Sequence, residues 1–164
     1  LLLKNLEEKN MLDNTVLVVF TDHYLYTLED KTILDKYKQT SNNLINKTPF
    51  FIWSNGNSKK KITSVTSQLN ILPTLINLFG LEYHPNYYIG YDALNPNYNG
   101  YVFFSDYSWY DGNVYVDGGI VTNGKYIEPL ILEDKNYFVN YMIRKNDLTL
   151  KYNYFKQLDS EKRI

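Results

Sequence analysis

Residues 15–23 read Thr15-Val16-Leu17-Val18-Val19-Phe20-Thr21-Asp22-His23, a short apolar run that ends in an acid and an imidazole. The run is rich in β-branched residues and lacks polar alternation, so it predicts a fully buried strand of an α/β sheet. Ligands of such sheets collect beyond the carboxyl ends of the strands, where Asp22 and His23 lie. A carboxylate beside an imidazole is a common ligand pair for a divalent metal. The alternative is a helix N-cap aspartate followed by a surface histidine.

The flanking segments predict further elements of such a sheet. The pattern of residues 1–12 is typical of an amphipathic helix, and residues 49–53 (Pro-Phe-Phe-Ile-Trp) predict a second buried strand before a turn at 54–57. Residues 67–80 predict a helix, with Pro73 in its first turn and Gly80 as its C-terminal cap. The strands at 16–20 and 50–53 are predicted to be parallel and adjacent or nearly so, with helix 69–79 packed on their sheet. This prediction rests on a connection long enough for a short helix around Ile33, Leu34 and Tyr37.

The second half of the chain has a different composition, with many tyrosines and short turns. Asn123-Gly124 predicts a two-residue hairpin between residues 120–121 and 126–127, and Asp117-Gly118 is a second turn candidate. A small antiparallel sheet is therefore predicted, followed by helices near 134–144 and 150–158. Residues 95–100 are the best candidate for a linker.

An ordered set of segments carries a family resemblance. These segments are Leu12-Asp13-Asn14-Thr15-Val16, Val19-Phe20-Thr21-Asp22-His23-Tyr24, Thr48-Pro49-Phe50-Phe51-Ile52-Trp53, Asn70-Ile71-Leu72-Pro73-Thr74-Leu75, Leu78-Phe79-Gly80 and Gly90-Tyr91-Asp92-Ala93-Leu94. Their order and spacing resemble the C-terminal part of the alkaline phosphatase and sulfatase superfamily, in its lipoteichoic acid synthase-like branch. The chain departs from that pattern at Thr21, where the family usually has glycine, and at Gln68, where it commonly has aspartate.

The resemblance implies an α/β fold in two parts. Residues 1–95 would form the C-terminal part of a sulfatase-like α/β domain. Residues 100–164 would form a small subdomain with an antiparallel sheet and packed helices. The family's nucleophile and an acidic metal ligand on the first strand would lie upstream of residue 1, and so would any membrane anchor. We therefore expect this chain to be a fragment that is inactive by itself and that associates with itself through its truncated sheet or the face of residues 1–6.

The implied chemistry is metal-dependent transfer. A metal-bound hydroxyl nucleophile attacks phosphorus or sulfur, with Asp22 supplying an anionic oxygen and His23 a neutral nitrogen to the metal. Calcium prefers oxygen ligands, whereas manganese and zinc accept nitrogen. The histidine therefore favours manganese, with zinc or calcium as alternatives, and favours phosphoryl transfer over sulfate hydrolysis.

The resemblance implies a bacterial extracytoplasmic enzyme. It would be a phosphoglycerol- or phosphoethanolamine-type transferase or a sulfatase-like hydrolase, and it would act on a phospho- or sulfo-ester of the cell envelope. Its location would be the extracellular face of the bacterial membrane. The rival hypothesis from another class is a non-catalytic surface or polymer-binding module that kept a sulfatase-like fold.

The composition and net charge of the chain argue against several classes of function and site. The net charge of −1 and the short Lys59–Lys61 cluster give no argument for a nucleic-acid partner. The sequence has no cysteine, which excludes disulfides and thiolate metal sites. No apolar stretch has the length of a transmembrane helix.

Other candidate side chains have ordinary explanations. His84 is expected to be a surface loop residue, and Asp106 and Asp111 are expected to be solvated turn residues rather than an acid–base pair. The 17 tyrosines invite a sugar- or polymer-binding interpretation, but half-burial on the sheet accounts for most of them.

Overall fold

The computed structural model describes residues 1–161, which form two compact units, one over Leu1–Ile62 and one that begins at Thr63. The domain division that we predicted at 95–100 stays a prediction. The helices and strands mix two antiparallel sheets with five α-helices, which confirms the predicted mixed α/β class. No helix within residues 1–161 combines the length and apolar character that a bilayer span requires.

The first unit holds a two-stranded sheet and two short helices. Helix α1 covers Leu2–Glu8 and a 3-10 turn covers Leu12–Asn14, which together account for the helix predicted at 1–12. Strand β1 covers Val16–Phe20, helix α2 Lys31–Tyr37, a 3-10 helix Asn42–Asn46 and strand β2 Phe50–Ser54. Both strands and the short helix between them lie where the sequence predicts them.

The predicted direction of β2 is wrong. β1 and β2 are adjacent, as predicted, but they pair antiparallel, from Val16 opposite Ser54 to Phe20 opposite Phe50. The connection over residues 21–49 ends beside the carboxyl end of β1, where Phe50 lies opposite Phe20, so β2 runs back along β1 in the opposite direction.

The expectation of full burial for β1 is also wrong. No residue of β1 or β2 is buried, and Phe20 and Phe51 are 51% and 53% exposed. The two strands carry apolar residues on both faces, but a two-stranded sheet cannot enclose either face by itself.

The second unit begins with the helix that carries Pro73. A 3-10 turn over Gln68–Asn70 leads into α3, Ile71–Leu78, and Ser67 and Asn70 form a capping box at the start. Gly80 has φ +63, and the Leu81 N–H donates to Ile76 O at 2.9 Å, which is the Schellman arrangement expected of a C-terminal glycine. The helix, its proline and its cap are thus confirmed. Its packing on the β1–β2 sheet stays a prediction.

A four-stranded antiparallel sheet follows, in the order β3-β4-β5-β6. The strands are β3 Val102–Phe103, β4 Trp109–Tyr110, β5 Val114–Asp117 and β6 Ile120–Gly124. The predicted sheet is confirmed, but the hairpin predicted at Asn123-Gly124 is wrong. Asp117 pairs with Ile120, so the turn is Gly118-Gly119, with φ values of +56 and +80 that suit a type I′ turn.

Gly124 has another role. It is paired with Val114 inside the sheet, and a Cβ atom on it would lie 2.1 Å from Asn113 O. Glycine is therefore needed there for a close backbone approach rather than for a turn.

Two helices complete the unit. Helix α4 covers Pro129–Lys151, which is longer than predicted at both ends, and α5 covers Tyr154–Glu161. The core between α4 and the sheet consists of Trp109, Val114, Val116 and Val139. The Trp109 indole N–H donates to Asn136 Oδ1 at 2.8 Å, which satisfies the polar atom of this buried ring.

Candidate functional site

Asp22 and His23 lie together just after the carboxyl end of β1. The carboxylate Oδ1 of Asp22 accepts the backbone N–H of His23 at 2.9 Å, and Asp22 Oδ2 lies 3.4 Å from His23 Nε2. The two side chains are 84% and 47% exposed, so both are accessible to an ion from solvent. The pair is therefore formed locally, by two consecutive residues of the segment that leaves the strand.

The hydrogen bond of the imidazole decides which nitrogen can bind a metal. His23 Nδ1 lies 2.6 Å from the carbonyl oxygen of Tyr24. A carbonyl can only accept, so we assign the proton to Nδ1, which leaves the lone pair of Nε2 for a ligand. The nitrogen that is available is thus the one that faces the Asp22 carboxylate.

The distance between the two ligand atoms fits one ion. Two vertices of a tetrahedral site with bonds of about 2.1 Å lie about 3.4 Å apart. The 3.4 Å between Asp22 Oδ2 and His23 Nε2 matches that spacing. Across residues 1–161, however, no group of three or more His, Cys, Asp or Glu side chains has the arrangement of a metal site. The described residues therefore supply two ligands of the three or four that a protein metal site uses.

Two tyrosine rings form a cluster with the His23 ring. The sequence analysis did not single out these two tyrosines. The Tyr26 ring stacks on the His23 ring with centroids 4.3 Å apart, and Tyr24 meets Tyr26 edge to face at 4.5 Å. Lys38 Nζ lies 5.3 Å from the centroid of the Tyr24 ring, and desolvation by burial lowers the pKa of Lys38. The only sequence signal for this cluster is the spacing of aromatic residues one and three positions after the histidine.

The remaining candidates form separate local structures. His84 Nδ1 accepts the N–H of Asn86 at 3.3 Å and caps the 3-10 turn Pro85–Tyr87. Asp106 accepts the N–H of Ser108 at 3.0 Å within its own turn. Asp111 differs from expectation, because its side chain is only 11% exposed and pairs with Lys135 on α4. The two aspartates therefore have different partners and do not act as a pair.

Comparison with known proteins finds relatives of the segment that contains this pair. Residues 1–81, the segment that contains Asp22 and His23, match the Sulfatase family model. The chain is also similar to lipoteichoic acid synthases of Staphylococcus aureus, including those of strains USA300, NCTC 8325 and N315. Each is 25% identical over 126 residues, which cover 69% of this chain and 19% of the relative. The predicted resemblance to this superfamily and branch is confirmed, and the chain spans about a fifth of the length of these relatives.

Proposed function

We propose that Asp22 and His23 are metal ligands in the active site of a longer sulfatase-superfamily enzyme. The observation that carries the proposal is the 3.4 Å spacing of Asp22 Oδ2 and His23 Nε2 at the end of β1, inside the family-matched segment. A divalent metal bound there would offset the charge that builds on the transferred group. Asp22 would neutralise part of the metal charge, and the hydrogen bond of His23 Nδ1 to the Tyr24 carbonyl leaves Nε2 as the nitrogen that would bind the metal.

The ligand types favour particular metals and substrates. A nitrogen ligand favours manganese over calcium, with zinc as the closest alternative. Similarity to lipoteichoic acid synthases supports phosphoglycerol- or phosphoethanolamine-type transfer over sulfate hydrolysis, and a phospho- or sulfo-ester of the cell envelope as substrate. It also supports a catalytic domain at the extracellular face of a bacterial membrane, with the anchor in another part of the parent protein.

The two ligands lead to an expectation for this chain by itself. Asp22 and His23 need further ligands and a nucleophile, which the family resemblance assigns to another part of the parent. We therefore expect the chain alone to bind Mn²⁺ weakly or not at all and to show no transferase or sulfatase activity. Calorimetric titration with Mn²⁺ measures the affinity of the chain for the metal. Tight binding in a 1:1 ratio would contradict the first expectation.

Substitution in the full-length parent tests the metal assignment. Asp22→Asn and His23→Ala are each expected to abolish turnover and reduce bound metal, because each removes a ligand. The unfolding transition should change little, since both side chains are exposed. His84→Ala is the matched control, because that imidazole caps a separate turn, and it should keep turnover and metal. Full turnover in either site variant would make the pair a structural feature, whereas no turnover in the unaltered parent would favour the non-catalytic, polymer-binding alternative.

A further inference from the structure

A second candidate site lies in the unit that begins at Thr63 and involves neither Asp22 nor His23. It is a groove of about 1020 Å³ bordered by α4, α5 and the 3-10 turn Pro85–Tyr87. We call it the aromatic groove, because its lining includes Tyr107, Tyr137, Tyr141, Tyr152, Tyr154 and the guanidinium of Arg144. Its volume is at the upper end of the range for small-molecule pockets, about 300–1,000 Å³, which suits an elongated ligand.

Groove-lining side chains of helix α4 follow one another along one face of the helix. Tyr137, Tyr141 and Arg144 follow one another at intervals of four and three residues, so they lie on the same side of the helix. The rings of Tyr137 and Tyr141 are 74% and 52% exposed. Exposed aromatic rings in a row along a helix provide a series of flat apolar faces, each with a hydroxyl at its tip.

The opposite side of the groove is held in place by direct contacts. The Tyr87 hydroxyl donates to Asp159 on α5 at 3.0 Å, and the rings of Tyr87 and Phe155 meet at 5.5 Å. The turn that contributes Asn86 is therefore fixed against α5. These contacts hold Asn86 in position relative to the residues that α5 contributes to the groove.

Tyr107 lines the groove from the β3–β4 turn, where its N–H donates to Phe104 O at 3.0 Å. Its φ is +66, in the left-handed region, and the other non-glycine residues with positive φ within residues 1–161 are asparagines, at positions 10, 42 and 153. A bulky side chain is disfavoured there, and residues held in such conformations cluster at ligand-binding sites. The Tyr107 side chain lines the groove and is 48% exposed. Burial of the ring in a core therefore does not offset the cost of this backbone conformation.

The charged side chains that line the aromatic groove favour some classes of ligand over others. Arg144, Lys145 and Asp147 line the groove, which gives a net charge of +1 from these three side chains. Among the side chains that the structure describes, Arg144 forms no ion pair. Its planar guanidinium matches a carboxylate, while Asn86 and Asn140 offer amides that can both donate to and accept from hydroxyl groups.

We propose that the aromatic groove binds an acidic oligosaccharide. The tyrosine rings would stack on the apolar faces of successive sugars, the amides would bond sugar hydroxyls, and Arg144 would pair with a carboxylate of the chain. An apolar ligand fits less well, because the row of tyrosine hydroxyls and amides would lose hydrogen bonds to water without replacement.

Calorimetric titration of the 164-residue chain tests this proposal with three probes: an oligogalacturonate hexamer, a neutral cellohexaose and a polyglutamate of equal charge. We expect the oligogalacturonate to bind at least ten-fold more tightly than either of the others. Tyr137→Ala combined with Tyr141→Ala, and separately Arg144→Gln, should each weaken its binding at least ten-fold. Tyr126→Ala is the matched control, because this tyrosine is 86% exposed and lies outside the groove lining.

Tyr107→Gly separates binding from folding. Glycine adopts the left-handed conformation freely, so the thermal midpoint should stay the same or rise while oligogalacturonate binding weakens. The proposal is overturned if the hexamer does not bind, if cellohexaose or polyglutamate binds equally well, or if the groove variants bind as Tyr126→Ala does.

Discussion

Asp111 lies in the turn between β4 and β5, where its carboxylate accepts the backbone N–H groups of Asn113 and Val114 at 2.9 and 3.0 Å. Lys135 on α4 also bonds this carboxylate, and its Nζ lies 5.3 Å from the centroid of the Trp109 ring. Burial by itself would raise the pKa of Asp111, but the hydrogen bonds from Lys135 and the two backbone groups outweigh burial, so the pKa is lowered. A turn residue thereby links the sheet to α4.

Asp111→Asn should destabilise the protein by about 1–3 kcal/mol at neutral pH, because it removes a charge-assisted network at a nearly buried site. A carboxyl with a depressed folded-state pKa contributes stability above its unfolded pKa of about 3.9 and loses it as the pH falls through the folded value. The difference between variant and parent should therefore shrink in acid. Urea unfolding at neutral pH and at about pH 2 measures it, with the exposed Asp117→Asn as control. An equal deficit at both pH values would contradict the ionic origin.

Helix α3 is tied to the segment that follows it by buried polar contacts. Asn70, 5% exposed, donates from Nδ2 to Tyr91 O at 2.8 Å and accepts the Ser67 N–H at 2.8 Å. Thr74 Oγ1 accepts the N–H of Ala93 at 2.9 Å one turn later. Tyr98 adds a hydroxyl bond to Asn70 at 3.2 Å, and burial raises the pKa of Tyr98. Buried polar contacts therefore hold the segment after the helix to α3 and to the turn before it.

Gly90 brings this segment against the 3-10 turn that precedes α3, since a Cβ atom on it would lie 1.8 Å from Leu69 O. Gly90→Ala must separate two backbones and break the hydrogen bonds beside them, so we expect a loss of at least about 2 kcal/mol. Gly56→Ala is the comparison, because it has φ +78 but no atom within 4 Å of its Cβ, and it should cost only about 1 kcal/mol of backbone strain. Chemical denaturation measures both, and equal costs would mean that the approach at Gly90 relaxes easily.

At the scale of the whole molecule, the two-stranded sheet leaves apolar side chains of both its strands exposed. Val19 and Phe51 are cross-strand partners that are 42% and 53% exposed, and they lie on the same face as Leu17 and Trp53. Exposed apolar faces and unpaired strand edges recruit partners. We propose that this sheet is covered by other parts of the full-length protein and that the isolated chain associates with itself instead.

The isolated chain should therefore form dimers or larger species at high concentration. Phe51→Lys should return it towards monomer, because it places a charge in the centre of the exposed face. Ile120→Lys is the matched control, since Ile120 is 66% exposed and lies on the other sheet. Sedimentation velocity and light scattering measure the mass, and a monomeric parent chain at high concentration would contradict the prediction.

The sequence by itself determined the local elements, because their signals lie within a few residues of one another. Pro73 and Gly80 bounded α3, the apolar runs located β1 and β2, and the order of residues at the end of β1 brought Asp22 beside His23. Adjacent positions in the chain are adjacent in space whatever the fold, so this pair needed no tertiary information.

Only the tertiary structure decided what depends on distant segments. The direction of β2 depended on where the connection after β1 returned, and the turn at Gly118-Gly119 prevailed over Asn123-Gly124 because β6 pairs with β5 through Gly124. The ion pair of Asp111 with Lys135 and the gathering of tyrosines from α4, α5 and the β3–β4 turn likewise join residues far apart in sequence. Periodicity records which residues are apolar, but strand direction, burial and partners are set by long-range contacts that no local pattern contains.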